Sequence, residues 1–183
     1  MLFLKRSTLY FLLYGTVIMT IIMIKTGSPL KTPATPSGII NLEFANNMPK
    51  VERVLNAWKT ASRENKDLIA YARFNTTLDF IYLLFYAFFL STCCKQLSLL
   101  LTQQKILSKW LNRLSLAALV AGFLDVIENF GMLRALEGKG TNMIAMITTG
   151  VSLLKWFLVI IVLLLIIAGL FVKTMLNRRQ LLK

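Results

Sequence analysis

The stretch Gly122-Phe123-Leu124-Asp125-Val126-Ile127-Glu128-Asn129-Phe130-Gly131-Met132 sets two carboxylates and an amide inside an apolar run long enough to cross a bilayer. Asp125, Glu128 and Asn129 are spaced i, i+3, i+4, so on a helix they share one face. An ionisable side chain in hydrocarbon costs about 2.5–3.5 kcal/mol on insertion scales, which makes such residues rare and marks them as functional candidates by default.

Three further apolar runs accompany this one. The four cover residues 8–24, 76–92, 114–136 and 147–172. Each approaches the roughly 20 residues that span about 30 Å of hydrocarbon as a helix. Only a helix satisfies its own backbone over such a run, and no alternating barrel-type strands are present. The expected fold is all-α, an integral membrane bundle of four transmembrane helices. Over the whole chain, 56% of the 183 residues are hydrophobic and the mean hydropathy is +0.65, above the usual soluble range. The first run could serve as a signal peptide behind Lys5-Arg6, but it is long for that role and no small-residue cleavage site follows, so a retained helix is expected.

The net charge of +13 does not imply nucleic acid, because the basic residues stand at the ends of apolar runs. Lys5 and Arg6 precede the first. Lys95, Lys105, Lys109 and Arg113 lie in the 93–113 connection. Lys173, Arg178, Arg179 and Lys183 form the tail at 173–183. None of these regions holds an acid, so the positive-inside rule puts both termini and the 93–113 loop in the cytoplasm, as in a bacterial inner-membrane protein. The partners implied are the bilayer and its anionic headgroups, with a second copy or a membrane-complex subunit as a further option.

The loop at 25–75 then lies outside. It opens with a Pro/Gly/Ser/Thr tract, Gly27 to Gly38, read as an extended linker. Asn47 can cap a helix over about 48–60, where Val51, Val54, Leu55 and Trp58 recur at helical spacing. This extracytoplasmic amphipathic helix either packs on the bundle as a lid or lies in the headgroup layer with Trp58 as anchor.

The topology gives the polar residues a depth. Asp79, Asp125, Glu128 and Lys155 all fall in the outer half of the membrane, within one or two turns of one another. The expected site is one interior cluster of Asp79, Asp125, Glu128, Asn129 and Lys155, with Tyr82, Tyr86 and Ser152 as supporting hydroxyls. Three acids against one base require a proton, a cation or water. Each residue has a plainer reading. Asp79 suits a hydrated helix start, Lys155 suits an ion pair that holds two helices together, and the tyrosines suit packing.

Histidine is absent, which excludes bis-His haem, His-ligated zinc and a His base. Cys93-Cys94 suit apolar filling better than a disulfide or a lipid anchor. Gly138-Lys139-Gly140-Thr141 lacks phosphate-loop spacing and reads as a turn. No cofactor is implied; the site leaves room for a bound cation or proton. The leading expectation is proton- or cation-coupled transport or binding. An intramembrane enzyme on a lipid or lipid-linked substrate is the alternative, followed by a structural or accessory subunit.

Leu42-Glu43-Phe44-Ala45 with Val51 to Trp58, Ala72-Arg73-Phe74-Asn75, Leu78-Asp79-Phe80 with Tyr82 and Tyr86, and Leu124-Asp125 with Glu128-Asn129 resemble a group of uncharacterised four-helix bacterial inner-membrane proteins. The resemblance implies the same topology, points at Asp79, Asp125, Glu128 and Asn129 together, and implies no activity.

Overall fold

The computed structural model describes residues 6–62 and 66–181. Lys5 and Lys183 lie outside the described residues, as do the side chains of Arg6 and Arg179. The helices are α1 (Arg6–Gly27), α2 (Ile40–Glu43), α3 (Met48–Ala61), α4 (Leu68–Leu100), α5 (Lys105–Leu136) and α6 (Asn142–Leu181), with a 3-10 turn at Ser28–Leu30 after α1. Among the described residues there is no strand. Four helices, α1, α4, α5 and α6, are long and apolar enough to cross a membrane.

These helices overrun the apolar segments that announce them. The 33 residues of α4 span about 50 Å at 1.5 Å per residue, well beyond hydrocarbon thickness. The helix starts at Leu68 because Asp67 caps it, its carboxylate accepting from Ile69 N at 2.9 Å and Ala70 N at 3.2 Å. At the other end, most of the 93–113 segment is helical. Lys95 lies on α4, and Lys105, Lys109 and Arg113 on α5, with only residues 101–104 between. Polar and basic residues there are good helix formers, so the backbone keeps its hydrogen bonds past the apolar stretch. Helix α6 begins at Asn142 behind Thr141, whose hydroxyl accepts from Ile144 N at 3.2 Å, and it carries Lys173 and Arg178 within it.

Helix α5 stops in a Schellman turn. Lys139 N donates to Arg134 O at 2.9 Å and Gly138 N to Ala135 O at 3.0 Å, and Gly138 takes φ +73°, a conformation that costs only glycine nothing. The Gly138-Lys139-Gly140 sequence is thus a helix stop.

In contacts between the long helices, α4 packs on α5, α5 on α6 and α1 on α4, with a lighter contact between α4 and α6. Helix α1 makes no substantial contact with α5 or α6. Close crossings use small residues. A Cβ on Gly122 would meet Ala87 Cβ at 2.7 Å, and one on Gly131 would collide with Thr148.

The buried apolar side chains form two separate clusters. One, at the α3 end, holds Leu30, Leu42, Val51, Val54, Trp58, Leu68, Met132 and Leu136. The other, toward the opposite end, holds Leu83, Leu90, Cys94, Leu97, Leu111, Ala118 and Val162. Cys94 is fully buried there, and Cys93 packs beside it.

Helix α3 is folded into the first cluster, behind its Asn47 cap, which accepts from Lys50 N at 3.0 Å. Trp58 is 0% exposed. Its indole N–H donates to Leu30 O at 2.9 Å and Thr35 Oγ1 at 3.1 Å. It is therefore a core residue that pins the Gly27–Gly38 linker, not a headgroup anchor. Trp58→Ala is expected to cost about 3–5 kcal/mol, read as a lowered unfolding midpoint in detergent. Trp58→Phe should cost only about 1 kcal/mol, because Thr35 Oγ1 still donates to Leu30 O at 2.9 Å.

Candidate functional site

Between the two apolar clusters lies a polar layer. Helix α5 contributes Asp125, Glu128 and Asn129, α6 contributes Thr148, Ser152 and Lys155, and α4 contributes Asn75 and Thr76, all buried. The spacings explain this: 125, 128, 129, 132 on α5 and 148, 152, 155 on α6 each trace one helix face.

Lys155 is the centre. Its ammonium sits 2.8 Å from Asp125 Oδ1 and across both oxygens of Glu128, at 2.9 Å from Oε1 and 2.8 Å from Oε2. Tyr86 OH donates to Asp125 Oδ2 at 2.7 Å, so both Asp125 oxygens are engaged. One turn further along, Asn129 Nδ2 donates to Asp79 Oδ2 at 2.8 Å. Asp79, Asp125, Glu128, Asn129, Lys155 and Tyr86 thus form one layer in two hydrogen-bonded parts.

Two supporting residues sit differently. Tyr82 packs against Tyr86 with ring centroids 5.3 Å apart and planes tilted by 54°, but its hydroxyl faces α1 and accepts from Thr20 Oγ1 at 3.3 Å. Ser152 is fully buried and its hydroxyl has no partner among the described residues, so it does not join the Lys155 network.

The sequence reading misses Glu43 as a site residue. Gly38, at φ +62°, turns the linker back, and the one-turn α2 carries Glu43 into the bundle, where it is 7% exposed. Trp156 Nε1 donates to Glu43 Oε2 at 3.3 Å, and Thr149 Oγ1 to the Glu43 carbonyl at 3.0 Å. Its carboxyl lies within electrostatic reach of Glu128 and Asp125, like charges that disfavour joint ionisation. Burial pushes the Glu43 pKa above the ordinary carboxylate value, opposed by Lys155 and by the Trp156 N–H. A signal existed: Ile39-Ile40-Asn41-Leu42-Glu43-Phe44-Ala45 is an apolar run, with one acid, inside an otherwise polar loop. The sequence reading equally misses the latch of α1 onto α4. Asn75 Nδ2 donates to Thr26 Oγ1 at 2.7 Å and to Met23 O at 3.1 Å.

A cavity of about 390 Å³ opens beside this layer. Thr20, Met23 and Ile24 of α1, Lys31 to Glu43 of the loop, Asn75 to Tyr86 of α4, Asp125 and Asn129 of α5, and Lys155 to Val159 of α6 contribute to its wall. It occupies the space left because α1 and α6 do not pack together. Four acids, Glu43, Asp79, Asp125 and Glu128, meet one base. Two like charges about 4 Å apart repel by about 4 kcal/mol at an effective dielectric of 20, so full ionisation is unfavourable without a bound positive charge. Among the described residues, no three acidic or sulfur side chains converge closely enough to hold a metal ion.

Lys155→Met strands two buried carboxylates and is expected to cost about 3–5 kcal/mol. Tyr86→Phe, which removes one hydrogen bond to a charged group, should cost about 1.5–3 kcal/mol. Unfolding in detergent checks both, and Lys155→Met combined with Glu128→Gln should recover part of the loss. No protein-family model matches the chain, and none of the curated proteins or solved structures compared with it matches either.

Proposed function

We propose that this chain is a multi-pass protein of a bacterial inner membrane that takes up protons at its buried acid layer and couples that uptake to binding or passage of a small ligand. The observation that carries the reading is the charge count of the polar layer, in which four carboxylates, Glu43, Asp79, Asp125 and Glu128, meet one ammonium, Lys155. Carboxylates gathered at membrane depth are the material of intramembrane proton relays.

The basic residues orient the molecule. Lys95, Lys105, Lys109 and Arg113 stand at one end of the bundle with Lys173 and Arg178, so that end and both termini face the cytoplasm and its anionic headgroups. The α3 end then faces outward, and α3 caps the bundle from outside. Glu43, on the outer loop, is the first acid of the layer that an external proton meets.

Reconstitution into liposomes with a trapped pH dye tests this. Wild type should dissipate an imposed pH gradient faster than protein-free vesicles, and Glu128→Gln should reduce that rate about tenfold. Flux equal to that of empty vesicles sinks the reading. A structural clasp is the second reading, favoured by the saturation of both Asp125 oxygens; it leaves Glu128→Gln destabilised with no flux to lose.

Stability should follow pH through Glu43. Its folded pKa is raised, so its contribution is full below the ordinary carboxylate value and is lost as pH rises through the raised one. The unfolding midpoint is expected to fall as pH rises above the ordinary carboxylate range, and Glu43→Gln to flatten that fall.

A further inference from the structure

The cavity has more than one wall chemistry. Met23, Ile24, Ile39, Ile40, Met132 and Val159 line its greater part. Opposite them, Thr76 and Asp79 stand one turn apart on one face of α4, with Asn129 across from them on α5 holding Asp79 Oδ2. Thr76 is 1% exposed and Asn129 0%, yet Thr76 Oγ1 and Asn129 Oδ1 have no hydrogen-bond partner among the described residues. An amide oxygen can only accept, and a buried acceptor without a donor costs about 1–3 kcal/mol. The one ammonium in the layer is already held by Asp125 and Glu128. The missing partner is a donor that also brings positive charge.

We infer that the cavity is a binding site for an organic ammonium ion carried on an apolar body, with its N–H groups on Asn129 Oδ1, Thr76 Oγ1 and the Asp79 carboxylate. This rests on reading the cavity as a ligand site and names the ligand class. About 390 Å³ lies within the range of small-molecule pockets and far exceeds a bare ion. Apolar walls favour a hydrocarbon or aromatic body over a solvated cation. On the cavity wall three carboxylates, Glu43, Asp79 and Asp125, outnumber two ammoniums, Lys155, already paired with Asp125 and Glu128, and Lys31, exposed at the loop edge, which disfavours an anion. Water could satisfy the two oxygens but would offset none of the surplus charge. The gap between α1 and α6 gives the apolar body a way in from the side, and the exposed Ser28, Lys31 and Ser37 edge the loop side of the cavity.

The test uses the full chain in lipid nanodiscs with n-hexylamine as probe, followed by calorimetry and by the emission of tryptophan, since Trp156 lines the cavity. Saturable hexylamine binding is expected, at least tenfold tighter than n-hexanol or hexanoate. Asp79→Asn should weaken it about tenfold, in line with loss of a charge-assisted hydrogen bond. Thr76→Val should weaken it severalfold; that hydroxyl has no partner among the described residues, so its removal leaves folding intact and stands in if Asp79→Asn does not fold. Equal binding of hexanol and hexylamine, indifference to both substitutions, or displacement by sodium ion at concentrations that displace no hexanol-sized body overturns the inference. Absence of hexylamine binding while wild-type liposomes still pass protons overturns this inference alone; absence of both overturns the proposed function with it.

Discussion

One buried ammonium holds the structure to its plan. Lys155 reaches from α6 into the gap between Asp125 and Glu128, and both partners are fixed by the single face of α5 on which they sit. A charge in that position costs several kcal/mol to desolvate unless its partners are placed with good geometry. The register of α5 against α6 is therefore tightly restricted. The approach of Gly131 to Thr148 leaves the two backbones close enough for the ion pairs to form. Tyr86 then ties α4 to the same point through Asp125.

Around that point the bundle is layered. Apolar side chains close it above and below, and the polar layer between them is both its most expensive part and its only chemically distinctive one. The loop between α1 and α4 completes the layer, because Trp58 pins the linker and the linker turns Glu43 inward. Helix α1 stands apart, fastened to α4 by Asn75–Thr26 and Thr20–Tyr82, and the room between it and α6 becomes the cavity. The proposed proton uptake and the proposed ammonium site use different halves of this layer, Glu43 with Glu128 on one side and Asp79 with Asn129 on the other.

Much of this is legible in the chain itself. The four apolar runs announce four long helices, since length and hydropathy suffice for that. The i, i+3, i+4 spacing of Asp125, Glu128 and Asn129 places them on one face, and depth counting brings Lys155 and Asp79 to their level. Helix ends are less legible, because Lys95, Lys105 and Lys109 prolong helices as readily as they interrupt hydropathy. Glu43 escapes for another reason. Its place depends on a turn at Gly38 and on a tryptophan fifteen residues downstream, both long-range facts that no local period encodes. Ser152 shows the reverse: a correct face, yet a hydroxyl that the packing leaves without a partner.

The short turn at Gly138 bears on how such a chain enters a bilayer. Helices α5 and α6 are joined by only 137–141, so they can insert as a hairpin. Inserted singly, α5 would carry two uncovered acids and α6 an uncovered base, each costing about 2.5–3.5 kcal/mol if ionised. As a hairpin, the two helices bring Lys155 opposite Asp125 and Glu128 before either faces lipid. The cheapest order of assembly is then the last two helices together.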